Sequence, residues 1–116
     1  MKFDIEYLNH IKDEIDFLNL KSNTLDRNEF LTDETIKRAF IRSIEIIGEA
    51  ATKISDPFKS KYPEIEWKKL SATRNRLIHG YFVVDYDIVW DLIINKIPAL
   101  EKQITFILEK ERTLFD

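Results

Sequence analysis

The chain has 116 residues, which suits one small domain and is too short for two ordinary hydrophobic cores. With 2 Gly and 3 Pro, it lacks the turn signals that an all-β sandwich or barrel needs roughly every 8–12 residues. Apolar residues at 44% and charged residues at 34% argue against disorder, and the net charge of −3 argues weakly against a protein that coats nucleic acid. We therefore expect a single all-α domain over residues 1–116.

The cysteine content and the hydropathy of the chain restrict the cellular compartment in which the protein is expected. The chain has no Cys, which excludes a disulfide framework and Cys-based zinc sites. Acidic residues interrupt the first six positions, where a signal peptide needs an apolar stretch, and no apolar run approaches the roughly 20 residues that a bilayer requires. These features predict a cytoplasmic protein with no membrane partner.

In the first half of the chain, the apolar spacing predicts two long helices. The first covers residues 3–20 and is followed by a connector at residues 22–24. Thr32 or Asp33 is the expected N-cap of the second helix, which runs to about Ser55 and ends because Pro57 follows. The two apolar stripes consist of Tyr7, Leu8, Ile11, Ile15 and Leu18, and of Ile36, Phe40, Ile44, Ile47, Ala51 and Ile54.

The second half predicts two more helices, again joined by short loops. A short connector leads to the third helix, which starts near Pro63 and ends at Gly80, a residue typical of the position after a helix. Asp85 or Asp87 is the expected N-cap of the fourth. Its apolar positions are Ile88, Val89, Leu92, Ile93, Leu100, Ile104, Ile107 and Leu108. The expected fold is an antiparallel bundle of four or five helices.

Two positions are expected to disturb the regularity of these helices. Pro98 should kink or break the fourth helix near residues 95–96. Gly48 lies inside the second helix, where glycine costs about 1 kcal/mol relative to alanine, and together with Ala51 it offers a flat surface for close approach of another helix.

The acidic residues that flank Gly48 leave two interpretations open. Glu45 and Glu49 lie one turn apart on one face of the helix and form a solvated pair if that face is exposed. If the face is buried, their carboxylates need a cationic partner, and Arg74 is the candidate.

The two histidines are not equivalent. His10 lies off the apolar stripe of the first helix and is expected at the surface. His79 lies in the run from Arg74 to Tyr81, which places two arginines, an amide, an imidazole and a phenol at one helix end. This set suits metal-free attack on a phosphodiester, since histidine transfers protons near neutral pH and arginine binds phosphate oxygens. The alternative is an ordinary basic helix end, with Tyr81 as a packing residue.

Helical geometry constrains how these groups can meet. On a regular helix, Arg74 and His79 are separated by about 140° around the axis and about 7.5 Å along it, whereas Asn75 and His79 share a face. Either the helix unwinds at its end, or the arginine reaches around, or a second chain completes the site. A symmetric dimer would also supply two histidines for the acid and base roles. With one useful histidine and no clustered carboxylates, no metal site is expected.

The run from Arg74 to Tyr81 resembles the Arg-x4-His-x-Tyr motif of the HEPN superfamily, in its HepT-like branch of toxins. Other segments that look like that family's pattern are residues 7–11, 44–51, 63–67 and 81–91, so the resemblance spans most of the chain. It implies a helical bundle that dimerises, with catalytic Arg74 and His79 and a supporting Asn75. The implied activity is that of a metal-independent endoribonuclease that uses no cofactor.

The resemblance also implies partners. HepT-like toxins pair with a nucleotidyltransferase antitoxin of the MntA type, which transfers AMP to the motif tyrosine, here Tyr81. The added charge and bulk would occupy the phosphate pocket. The implied substrate is RNA, with tRNA and mRNA as candidate classes, and the homodimer is the unit of any larger oligomer. The alternative is a non-catalytic helical interaction or nucleotide-binding module that docks a nucleotidyltransferase.

Overall fold

The computed structural model describes residues 2–79 and 84–115, and every element within them is helical. The body is formed by α1 (Lys2–Ser22), α3 (Glu34–Lys53), α5 (Trp67–His79) and α7 (Ile97–Phe115). The shorter elements are α2 (Arg27–Thr32), α4 (Asp56–Lys61), α6 (Tyr86–Asp91) and a π-helical turn (Leu92–Lys96) that joins α6 to α7. The expected all-α fold is confirmed, with the four predicted long segments as its main helices.

Side-chain hydrogen bonds define the direction of the first two long helices. The buried carboxylate of Asp4, near the start of α1, accepts bonds from the backbone N–H and the hydroxyl of Ser55, both at 2.8 Å. Further along α1, Glu14 accepts a bond of 2.7 Å from the Ser43 hydroxyl. The later position in α1 thus pairs with the earlier of the two serines, so α1 and α3 are antiparallel.

The hydrophobic core lies between α1, α3 and α7. The side chain of Asn19, near the end of α1, donates to Glu101, near the start of α7, as an antiparallel pair requires. Most positions of the predicted stripes are buried, namely Leu8, Ile11, Ile15, Leu18, Phe40, Ile44, Ile47, Ala51, Ile54, Val89, Ile93, Leu100, Ile104 and Ile107. Tyr7, Ile36, Leu92 and Leu108 are half-buried. The prediction is wrong for Ile88, which is 61% exposed. In α5, by contrast, Trp67 is buried while Leu70 and Leu77 are half-buried, because this helix packs mainly on α3. A broad face of α5 therefore remains exposed.

Two short helices were not predicted from the apolar pattern. In α2, Asp26 and Glu29 form a reciprocal capping box, and the helix buries Phe30. In α4, Ser55 is the N-cap and Pro57 lies in the first turn, so the segment predicted only to end α3 also begins a new helix. The sequence prediction of a plain connector after Ser55 is therefore wrong.

Several helix boundaries resolve predictions that the sequence left open. Asp33 is the N-cap of α3, where it accepts from the Ile36 N–H at 3.0 Å, and Asp85 is the N-cap of α6. The helix α5 begins at Trp67, later than the predicted start near Pro63, because turns occupy residues 63–65.

Pro98 does not break the last helix. The N–H of Ile97 bonds to the carbonyl of Leu92, which closes the π turn, and α7 continues beyond it. The irregularity lies at the predicted place, but it is a widened turn that stays helical, and a widened turn accommodates a residue that lacks a backbone donor. Within the described ranges, none of the helices is long and apolar enough to cross a membrane.

Candidate active site

The motif residues lie on α5 and just beyond it. The chain stays helical from Trp67 through His79, so the helix does not unwind between Arg74 and His79, and unwinding at Gly80 lies outside the described residues. His79 is the last residue of α5, and its imidazole lies outside the described part of the structure, as do Gly80 and Tyr81. Of the four candidate site residues, Arg74 and Asn75 have side chains in the described part of the structure.

Arg74 starts from the side of α5 that faces α3, directly against Gly48. A Cβ atom added to Gly48 would lie 2.3 Å from the Arg74 Cβ, 2.7 Å from the carbonyl oxygen of Leu70 and 3.2 Å from the Arg74 Cγ. The predicted close approach at Gly48 is therefore confirmed. The helix that approaches is α5, and the residue in contact is the arginine of the motif.

The guanidinium of Arg74 turns from this buried origin toward the exposed side of the helix. Arg74 is half-buried, and its Nε has no hydrogen-bond partner in the described part of the chain. One terminal nitrogen, Nη1, donates to the Oδ1 of Asn75 at 2.8 Å. Because Asn75 is exposed and shares a helical face with position 79, this bond brings the guanidinium toward the face on which His79 begins. The arginine side chain thus extends around the helix toward the side of position 79, as one of the three options requires.

The other polar residues singled out by the sequence lie apart from this arrangement. Glu45 and Glu49 are half-buried, and among the described residues neither forms an ion pair with Arg74. The partnership proposed for a buried face is therefore absent here. His10 is exposed, as expected, with its ring edge-on to that of Tyr7 at a centroid separation of 6.1 Å.

The charge on α5 is uniformly positive. The helix carries Lys68, Lys69, Arg74 and Arg76 and no acidic residue. Glu66 lies immediately before the helix and forms an ion pair of 2.6 Å with Lys69. The hydrogen bond from Lys69 holds the pKa of the Glu66 carboxyl below its usual value. The helix thus concentrates cations beside the motif in a chain whose net charge is −3.

A buried polar cluster that the sequence did not reveal fixes the start of α5. The carboxylate of Glu111, on α7, is 1% exposed and accepts bonds from the Tyr62 hydroxyl and, at 2.9 Å, from Lys61. Burial raises the pKa of Glu111, but the bonds from Tyr62 and Lys61 outweigh it, and the pKa is lowered. The Tyr62 carbonyl in turn accepts from the Trp67 indole at 3.0 Å, which ties α7 to the first residue of α5.

A cavity of about 340 Å³ lies beside α5, between α3 and the segment from the π turn into α7. Its lining residues are Ile44, Ile47, Glu66, Lys69, Leu70, Thr73, Leu92, Asn95, Lys96, Ile97, Ala99, Leu100 and Gln103. The walls are mostly apolar and do not include Arg74 or Asn75. The cavity is therefore not lined by the two site residues whose side chains the structure describes.

The sequence matches the family model described as Ribonuclease HepT-like over residues 6–107. A protein of Caldanaerobacter subterraneus named "Putative RNase TTE0752" is 42% identical over 112 residues, which are 97% of this chain and 100% of the relative. "Probable ribonuclease HepT" of Thermococcus cleftensis is 36% identical over 96 residues, which are 83% of this chain and 87% of the relative. No solved structure gives a significant match. The chain therefore belongs to the HepT-like ribonuclease family of the HEPN superfamily.

Proposed function

We propose that this protein is the toxin of a toxin–antitoxin pair and cleaves RNA internally without a metal ion, through a composite site at a dimer interface. The observation that carries the proposal is the Arg74 guanidinium, held on Asn75 at 2.8 Å, on the helix that ends at His79. A fixed, always-charged fork and an imidazole are the two groups that phosphodiester cleavage needs. The family match supports ribonuclease activity at the general level.

The reaction that fits these groups uses the RNA 2′-hydroxyl as nucleophile. His79 of one subunit takes the 2′-OH proton, the O2′–P bond forms, and the P–O5′ bond breaks to leave a 2′,3′-cyclic phosphate. His79 of the partner subunit donates a proton to the departing 5′ oxygen. Arg74 stabilises the extra negative charge on the phosphoryl oxygens between these two steps. Both proton transfers suit imidazole, whose ordinary pKa lies close to neutral pH.

The dimer supplies what one chain lacks. Each chain has one histidine in the motif, whereas one turnover needs a general acid and a general base. A two-fold axis that brings two copies of the end of α5 together would place two histidines and two arginines in one cleft. If so, specific cleavage activity should fall when the protein is diluted below the dimer dissociation constant measured by sedimentation. Activity that stays proportional to concentration throughout the monomer range would contradict a composite site.

The catalytic assignments are tested by paired substitutions. His79→Ala and Arg74→Ala should each abolish cleavage of an oligoribonucleotide and growth inhibition, with helix content unchanged and activity of the wild type surviving excess chelator. The matched controls are His10→Ala, an exposed histidine on α1, and Arg27→Ala, an arginine whose surface ion pair with Asp87 is worth little. Full cleavage by purified His79→Ala would refute the proposal. A protein that binds a nucleotidyltransferase but neither cuts RNA nor slows growth would favour the non-catalytic alternative.

Neutralisation is proposed to occur at Tyr81. In the transfer, the phenol oxygen attacks the α-phosphorus of ATP, a Tyr–O–AMP bond forms, and pyrophosphate leaves as the phenol proton is lost. Incubation with an MntA-like nucleotidyltransferase and ATP should add the mass of AMP to this chain. Tyr81→Phe should remain toxic in the presence of the antitoxin, whereas Tyr7→Phe, a control on α1, should be neutralised. Suppressed toxicity without any mass shift would assign neutralisation to binding alone.

A further inference from the structure

The exposed face of α5 carries a row of side chains that leads to the candidate active site. Lys68, Ala72, Asn75 and Arg76 are exposed on one face of the helix. Ala72 follows Lys68 by four residues, Asn75 and Arg76 follow Ala72 by three and four, and position 79 continues the series. We call this row the α5 ridge. It lies on the opposite side of the helix from Leu70 and Arg74, which face α3 at Gly48.

The two cations of the ridge have no polar partner among the described residues. Lys69, beside the ridge, is neutralised by Glu66 at 2.6 Å, but Lys68 and Arg76 form no ion pair or hydrogen bond with any residue in the described part of the chain. Lys68 also lies in the first turn of α5, where the positive end of the helix dipole disfavours a cation. A cation that is unpaired and unfavourably placed in the free protein is stabilised when an anion binds beside it.

The spacing of the charges indicates the kind of anion. Lys68 and Arg76 are eight residues apart, which corresponds to about 12 Å along a helix axis. One phosphate group cannot contact side chains rooted at both positions and at the end of the helix, whereas a polymer with a phosphate at every unit can. Ala72, between the two cations, has a small side chain that does not obstruct an extended strand lying along the ridge.

We infer that the α5 ridge is the track on which the RNA strand lies, with Arg76 and Lys68 binding phosphates progressively further from the bond that is cleaved. This inference rests on the proposed function for the position of the cleaved bond. The track itself requires only that the protein binds single-stranded RNA. In this arrangement Arg76 and Lys68 contribute affinity, and Arg74 contributes to the chemical step.

The test measures binding separately from cleavage. The probe is a fluorescent 16-nucleotide single-stranded RNA with 2′-O-methyl sugars, which lacks the nucleophile and stays intact. Its affinity for the wild type, Lys68→Gln, Arg76→Gln and the double variant is measured by anisotropy at several salt concentrations. The control is Lys21→Gln, which removes the same charge from an exposed position on α1.

Each ridge substitution should weaken binding and reduce the slope of log affinity against log salt by about 0.7, the value for one phosphate contact on a single strand, and the double variant by about twice that. In cleavage of unmodified RNA, the same variants should raise KM and leave kcat within about twofold of the wild type. The reason is that the lost contacts stabilise the bound substrate and the transition state equally. Lys21→Gln should leave both the slope and KM unchanged.

The inference is overturned if the wild type does not bind the probe, if the double variant binds it with unchanged affinity and slope, or if Lys21→Gln weakens binding as much as the ridge substitutions. Failure of the proposed function gives a different pattern. In that case the wild type binds the probe and the Lys68 and Arg76 variants bind it more weakly, as predicted, but unmodified RNA remains uncut.

Discussion

Gly48 is the point at which core packing and the candidate active site meet, and Gly48→Ala tests that connection. Alanine is the better helix former by about 1 kcal/mol, so the substitution would stabilise α3 if the added methyl had room. The structure leaves no room. The new Cβ would lie 2.3 Å from the Arg74 Cβ and 2.7 Å from the Leu70 carbonyl oxygen.

The atoms in the way decide the magnitude. A carbonyl oxygen and a Cβ are fixed to the backbone of α5 and cannot rotate aside, so the whole helix must move by about 1 Å to restore ordinary contact. Overpacking of this kind costs about 1–3 kcal/mol, and with such rigid neighbours we take the upper part of that range. After the gain in helix propensity, the net loss of unfolding free energy is about 1–2 kcal/mol, which lowers the melting temperature by roughly 4–10 °C.

The assay combines thermal unfolding with cleavage kinetics. Because a misplacement of about 1 Å in a catalytic group can reduce the rate by about 100-fold, Gly48→Ala should lower kcat far more than its loss of stability explains. Thr52→Ala is the control, since position 52 is exposed on the same helix and the substitution gains helix propensity. A melting temperature for Gly48→Ala equal to or above that of the wild type would refute this reasoning.

Buried contacts elsewhere give three further expectations. Tyr62→Phe removes a hydroxyl that donates to Glu111, and denaturant unfolding should show a loss of about 1–3 kcal/mol with helix content unchanged. The pKa of Glu111 is lowered in the folded state, so its contribution to stability is present above its ordinary value of 4.5 and is lost as the pH falls through the lower folded value. Glu111→Gln should therefore flatten the acid side of the stability curve, and an unchanged acid side would contradict the role given to this carboxylate. Phe30→Ala should cost about 3–5 kcal/mol, whereas Phe106→Ala, which is 59% exposed in the wild type, should change stability little.

The long helices could be predicted because each repeats the apolar period over several turns. The stripe from Leu8 to Leu18 is an example, since every one of its apolar positions is buried. The short helices could not be predicted in this way. Six residues make fewer than two turns, and α2 and α4 each bury a single aromatic side chain, Phe30 and Phe58, so neither shows a period.

In the candidate site, too, contacts between neighbours in the sequence could be predicted, whereas contacts between distant residues could not. The roles expected of Arg74 and Asn75 depend on neighbours in the sequence, and the hydrogen bond between them lies within one helical turn. Gly48 signalled a close approach, but its partner on α5 depends on how the two helices are paired. The bond between Tyr62 and Glu111 joins residues 49 positions apart, and an acidic residue near the end of a long helix gives no sign that it will be buried.

The π turn at Leu92–Lys96 determines where this chain can change in length. A π turn contains one residue more than an α-helical turn. Loss of one residue there would let the span close with ordinary α-helical hydrogen bonds, and Ile97 and the positions after it would keep their orientation toward α1. The same loss in the middle of α1 or α3 would rotate all later positions of that helix by about 100° away from the core. Insertions and deletions of single residues among HepT-like proteins should therefore concentrate at this turn.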